Sequence, residues 1–170
     1  KVTNLNDGSF VVVWESPMQE YTQQEILNNP NILKVGTQTQ FKGLYGQKFT
    51  REGVKIGDEF QVNSIRDGNQ HNHEIIALSH GGFAVVWENG IGKNSYNSDD
   101  LVHLEGPYDG TNASGYADPG SLDSAIHARI FDVNCNPFTS DFLVNTETSG
   151  RQEIPSIVEN GDEGFFVSWK

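Results

Sequence analysis

Gly82-Phe83-Ala84-Val85-Val86-Trp87 has two further versions in this chain, Ser9-Phe10-Val11-Val12-Val13-Trp14 and Gly164-Phe165-Phe166-Val167-Ser168-Trp169. A short run of β-branched and aromatic residues entered through a glycine-bearing turn suits an extended, partly buried strand. The phrase returns after 73 positions and again after 82. Repetition on that scale marks a modular architecture in which each unit packs on its neighbours.

Working outward from the phrase, residues 43–88 align without gaps on residues 125–170, with 11 identities in 46 positions. Phe49 falls on Phe131, Phe60 on Phe142, Asn63 on Asn145, Gly68 on Gly150 and Gln70 on Gln152. The first 15 residues repeat 74–88, retaining Leu5, Gly8, Phe10, Val12, Val13, Trp14 and Glu15. All the length difference falls between the tryptophan and the following strand.

Each repeat reads as four short strands. Strand one is Val2 to Leu5, Glu74 to Leu78 and Ile154 to Glu159, and an Asn/Asp/Gly turn leads to strand two, the phrase itself. Strand three, Leu44 to Thr50 and Ile126 to Asp132, alternates in its first copy, which predicts a strand buried on one side. Strand four is Glu59 to Asn63 and Asp141 to Asn145. The expected fold is therefore all-β, with antiparallel four-stranded blades in tandem and a β-propeller-like partial ring, since two repeats and a half fall short of the four blades that closure needs. The repeats run 1–73, with a Gln/Asn-rich insertion at 15–42, then 74–153, with a Gly/Asp-rich insertion at 89–124, and 154–170 is the first half of a third. The one stretch with helical character is Gln19 to Leu27. Both insertions leave the same end of their blades, which predicts one face carrying two long loops, the natural binding surface.

Net charge is -12, with no basic stripe to displace the counterions of a nucleic acid, so nucleic-acid partners are excluded. No apolar run approaches the roughly 18 residues of a membrane span. Cys135 is the only cysteine, so an internal disulfide is impossible, and a small filler in a turn is its expected role. The chain opens on a repeat and stops inside another, as a segment of a longer repeat protein would.

The Gly-turn, the Phe-Val-Val-x-Trp phrase, Ile126-His127-Ala128 to Phe131, Asp141-Phe142-Leu143-Val144-Asn145 and the later Gln152 together resemble the tandem repeats of large secreted or surface proteins, adhesin-like and haemolysin-type calcium-associated. Tyr108-Asp109-Gly110 and Ser114-Gly115-Tyr116 look like an expanded form of the Asp-Gly-Ser-Gly-Tyr loop of such repeats. The Gln/Asn-rich first insertion departs from the pattern. The resemblance implies an extracellular or cell-surface, non-catalytic module of structural or adhesive use, with calcium as a candidate ligand. Partners would be other repeats of the same protein or neighbouring chains, and a protein or glycan ligand.

Recurrence at one strand position in every copy assigns Phe10, Trp14, Phe49, Phe60, Phe83, Trp87, Phe131, Phe142, Phe165 and Trp169 to a structural core between blades rather than to sugar stacking. The competing reading is a carbohydrate-binding or glycan-active propeller. Asn63 and Asn145 should tie off backbone groups where strand four turns away. His71-Asn72-His73 reads as a solvated polar loop, and without a helical context or basic surface the letters carry no nuclease meaning. Asp99, Asp100, Asp109, Asp118 and Asp123 gather hard oxygen donors in one Gly-rich segment, the donor type calcium prefers. They match no standard calcium-loop register. Asn112-Ala113-Ser114 fits the N-glycosylation acceptor pattern.

Overall fold

The computed structural model describes residues 1–17, 42–66, 68–79, 81–90, 124–161 and 164–170, together with 19, 20, 27, 38 and 39. Two four-stranded antiparallel sheets carry most of it. The first contains β1 (Val2–Asn4), β2 (Phe10–Ser16), β5 (Gly43–Phe49) and β6 (Lys55–Gln61) in the order β1-β2-β5-β6. The second contains β7 (Asn69–Ala77), β8 (Phe83–Gly90), β9 (Ser124–Phe131) and β10 (Phe142–Leu143) as another meander. A two-stranded pair follows, β11 (Ser156–Glu159) with β12 (Phe165–Ser168). β3 (Gln19–Glu20) pairs with β4 (Gln38–Thr39). The helical expectation for Gln19 to Leu27 is met at one end only: Gln19 and Glu20 are extended, Leu27 is helical, and 21–26 lie outside the described residues. The described sheets do not close a ring.

The two large sheets share one register. Phe10 lies opposite Phe49, and Trp14 opposite Tyr45, while Phe83 lies opposite Phe131, and Trp87 opposite His127. The phenylalanine pairs stack alike, with centroids 5.2 Å apart at 13° and 4.9 Å apart at 7°. Turn chemistry repeats as well. The Leu5 amide donates to the Ser9 carbonyl, the Leu78 amide to Gly82 and the Asn160 amide to Gly164. In the turn after strand three, Gly53 at φ +84° has its counterpart in Cys135 at φ +66°. A cysteine thus holds a left-handed position that glycine takes without strain. It packs half-buried against the core, in the turn where a small filler was expected.

Sheets pack face to face. Alternation puts Val11 and Val13 on one face of β2 and Phe83, Val85 and Trp87 on one face of β8, and these residues join Leu5, Leu44, Val62, Ile75 and Phe131 in a single core cluster. β8 is buried along its whole length on both faces. β5 departs from the one-sided burial expected of it: Gln47 and Lys48, on opposite faces, are both buried. Each is tied down. Gln47 donates to the carbonyls of Lys48, Ile56 and Gly57, and the Lys48 ammonium reaches Asp7 at 2.9 Å and the Val133 carbonyl at 2.7 Å. Just before them Gly46 carries the ring of Phe60, which any Cβ would strike.

Candidate functional site

The two long insertions are rooted at one end of equivalent hairpins. Ser16 pairs with Gly43 beneath the first, and Gly90 with Ser124 beneath the second. The roots are joined through β7. The Lys42 amide donates to Asn69 Oδ1 at 2.9 Å, the Lys42 carbonyl accepts from Gln70 at 3.1 Å, and Asn69 pairs with Gly90.

A buried amide clamp supports this floor, and it is built twice. Asn63 accepts from the Leu44 amide at 2.8 Å and donates to the Ile65 carbonyl at 2.8 Å and to Gln70 at 3.1 Å. Asn145 accepts from the Ile126 amide at 2.8 Å and donates to the Glu147 carbonyl at 2.7 Å and to Gln152 at 3.4 Å. Both asparagines tie the corner after strand four, as their sequence context suggested. Gln70 extends its clamp into the second sheet by donating to Asn89 at 2.8 Å, while the Gln152 backbone amide donates back to the Ser124 carbonyl at 3.2 Å, as the Gln70 amide does to Lys42. A buried amide with its donors and acceptors met rigidifies the ends from which a loop departs.

Carboxylates line the same end. Glu15 accepts from the backbone amide of Asn72 at 3.2 Å, and Glu88 accepts from the backbone amide of Ile154 at 3.5 Å. Asn72 and Ile154 are equivalent residues and both are left-handed, at φ +52° and +54°. At Asn72 this backbone forms a bulge that interrupts the β7–β8 ladder. Each bulge thereby aims an N–H at the glutamate that closes the strand-two phrase of the preceding sheet. Asn72 also donates its side-chain amide to Glu88 at 2.8 Å, and His71 Nδ1 lies 3.6 Å from the same carboxylate. His73 Nε2 donates to the Val13 carbonyl at 2.9 Å. That fixes the neutral tautomer, because a carbonyl can only accept. Burial holds the His73 pKa below its ordinary value.

His71, Asn72 and His73 therefore lie in a strand and at an inter-sheet contact, which corrects their reading as a solvated loop. Repetition of glutamate after tryptophan was the signal for the carboxylate clamp, visible as Glu15 and Glu88. The remaining ties between sheets had no such signal. Arg129 donates to the Val62 carbonyl at 2.8 Å and lies 3.4 Å from Asp141, whose other oxygen accepts from the amides of Ser64 and Ile65.

Of the aromatic positions, Phe83, Trp87 and Phe131 are at most 1% exposed. Phe10, Trp14, Phe49, Phe60 and Phe165 are half-buried, whereas Phe142 is 37% and Trp169 42% exposed. Trp87 stacks on His127 at 6.1 Å and has no face open to a sugar. Asp99, Asp100, Asp109, Asp118, Asp123 and Asn112 lie outside the described residues. Among the described residues no group of three or more His, Cys, Asp or Glu side chains is placed to hold a metal ion, and no helix is long and apolar enough to cross a membrane. Burial pushes the Cys135 thiol up to about 11, so at neutral pH it is protonated and a poor nucleophile. Chemically, this end of the molecule is a hydrogen-bonded platform.

Neither a family model, nor a characterised protein, nor a solved structure matches the chain.

Proposed function

We propose that the chain is a non-catalytic structural or adhesive module of an extracellular or cell-surface assembly, propeller-like, that meets its partners through the insertions at 15–42 and 89–124. The observation that carries this reading is the repeated, rigid root. Two sheets of the same register hold their long segments at the same end, over a duplicated Asn/Gln clamp and a duplicated Glu-to-bulge contact. A scaffold that spends its buried polar groups on holding loop roots, while the sequence between those roots varies freely in length, suits recognition by loops. The repeats 1–73, 74–153 and 154–170 are then successive blades of a partial ring, and further blades belong to the parent protein or to neighbouring chains. Calcium is the proposed ligand of the second insertion, where Asp99, Asp100, Asp109, Asp118 and Asp123 would supply carboxylate oxygens, the hard donors that ion takes.

A glycan array and a panel of glycoside hydrolase substrates test the proposal together. The expected result is no turnover, and loss of any captured ligand when 91–123 is replaced by a short Gly/Ser linker that leaves the β-sheet circular dichroism unchanged. Turnover above background would overturn it in favour of the glycan-active reading.

A further inference from the structure

β12 offers an unfilled strand position, and the chain itself contains two filled versions of it. In the first sheet β2 lies between β1 and β5, and in the second β8 lies between β7 and β9. β12 corresponds to both, yet among the described residues it pairs only with β11. The backbone groups on its other edge follow from the ladder. Lys170 and Glu153 exchange both hydrogen bonds, and the Gly164 carbonyl accepts from Asn160. Strand alternation then points the amides and carbonyls of Phe165, Val167 and Trp169 the opposite way, toward the open edge.

Three side-chain features at this edge are half-complete. Phe60 packs against the stacked pair Phe83 and Phe131, with centroids at 6.2 and 5.5 Å. Its counterpart Phe142 is 37% exposed, with Phe165 in the place of Phe83 and nothing described in the place of Phe131. Trp87 is 1% exposed beneath His127, whereas its counterpart Trp169 is 42% exposed. At Gly82, φ +80°, a Cβ would strike the Phe131 carbonyl of the neighbouring strand, while at Gly164 a Cβ would meet nothing within 4 Å. All three point to the same missing neighbour.

We infer that the open edge of β12 is a docking site for an extended segment of the β5 and β9 type, supplied by a further repeat. The two filled versions state its chemistry position by position. Opposite Phe165 stands a phenylalanine, opposite Val167 a long polar residue (Gln47 or Arg129), opposite Ser168 a small one (Gly46 or Ala128), opposite Trp169 a ring (Tyr45 or His127) and opposite Lys170 an aliphatic residue (Leu44 or Ile126). Main-chain bonds supply the affinity of such strand addition and alternate side-chain pockets its selectivity. A second copy of this chain is the poorer occupant, because its own β5 and β9 are already paired on both sides. The inference rests on the repeat reading of the proposed function and not on its loop face: failure of the peptide to bind leaves the effect of replacing 91–123 untouched.

The probe is a fluorescein-labelled synthetic peptide, Ser124-Ala125-Ile126-His127-Ala128-Arg129-Ile130-Phe131, titrated with the full chain and read by anisotropy, with tryptophan emission followed in parallel. Expected are saturable binding, a blue shift in tryptophan emission, and at least tenfold weaker binding of a peptide with alanine in place of the final phenylalanine. Val167→Pro removes a donor that faces the open edge, where proline is tolerated, and should lose the peptide while retaining the wild-type circular dichroism. Equal binding of the intact and alanine peptides overturns the inference. So does absence of binding, and so does concentration-dependent self-association that the peptide fails to reverse, which assigns the edge to a second copy. If Val167→Pro unfolds the chain, the two peptides decide the matter alone.

Discussion

At the scale of single residues, the buried amides and the imidazole carry the clearest consequences. Asn63→Ala removes the acceptor of the Leu44 amide and the donor to Ile65 in a site only 1% exposed. An orphaned buried donor costs about 1 to 3 kcal/mol, so urea unfolding should show a loss of that size, with Asn145→Ala losing a similar amount at its equivalent corner. His73 gives a pH dependence whose sign follows from burial. Its folded pKa lies below the ordinary 6.5, so across that window the unfolded chain binds a proton that the folded chain refuses. Stability therefore rises with pH there, and is lost as pH falls through about 6.5 toward the folded value. His73→Gln can keep a donor to Val13 without titrating. It should flatten the slope of unfolding free energy between about pH 7 and pH 5; an unchanged slope would show that another group sets it.

At the scale of elements, the phrase ending in tryptophan announced β2, β8 and β12, while the register common to both large sheets spans the insertions, where the repeats differ in length, and no letter announced it. Burial was less legible. The alternation of Leu44 to Phe49 reads as one wet face, but β5 has another sheet's loop over Lys48 and its own β6 backbone over Gln47. A pattern of residue types cannot register which long side chains will find partners once buried. The bulge at Asn72 was equally silent, because positive φ is announced by glycine and here falls on asparagine and isoleucine. The glutamate clamp is visible only as Glu15 and Glu88, two letters with no reason attached until the bulge amides face them. Position along the stack also grades the aromatic residues in a way that their common letter hides. Trp87→Ala should cost about 3 to 5 kcal/mol, as for a fully packed aromatic residue. Trp169→Ala, at 42% exposure, should cost much less, on the order of 1 kcal/mol or below. Equal losses in denaturant titrations would contradict the ordering of the sheets.

At the scale of the whole molecule, charge is the dominant unbalanced quantity. A net charge of -12 opposes compaction, and the Gly-rich second insertion concentrates carboxylates where no disulfide can restrain the chain. The calcium ion proposed for that insertion would relieve the repulsion, and an ion that binds the folded chain alone would appear as stability. At a hundredfold excess over Kd the gain is about 2.7 kcal/mol. For a chain of this length that raises Tm by roughly 5 to 10 °C. Millimolar calcium should produce such a rise. Magnesium should produce less, since it keeps its water and demands a stricter octahedron, whereas screening alone would make the two ions equivalent. Replacing Asp109 and Asp118 by asparagine removes two charges and so also relieves repulsion. The variant should therefore start with a Tm no lower than the parent in chelator, yet gain little from calcium. Specific coordination predicts that crossing of the two responses. If the variant keeps the full calcium increment, or if calorimetric titration of the parent gives no heat, the acidic insertion is solvated surface and the ion has no site there.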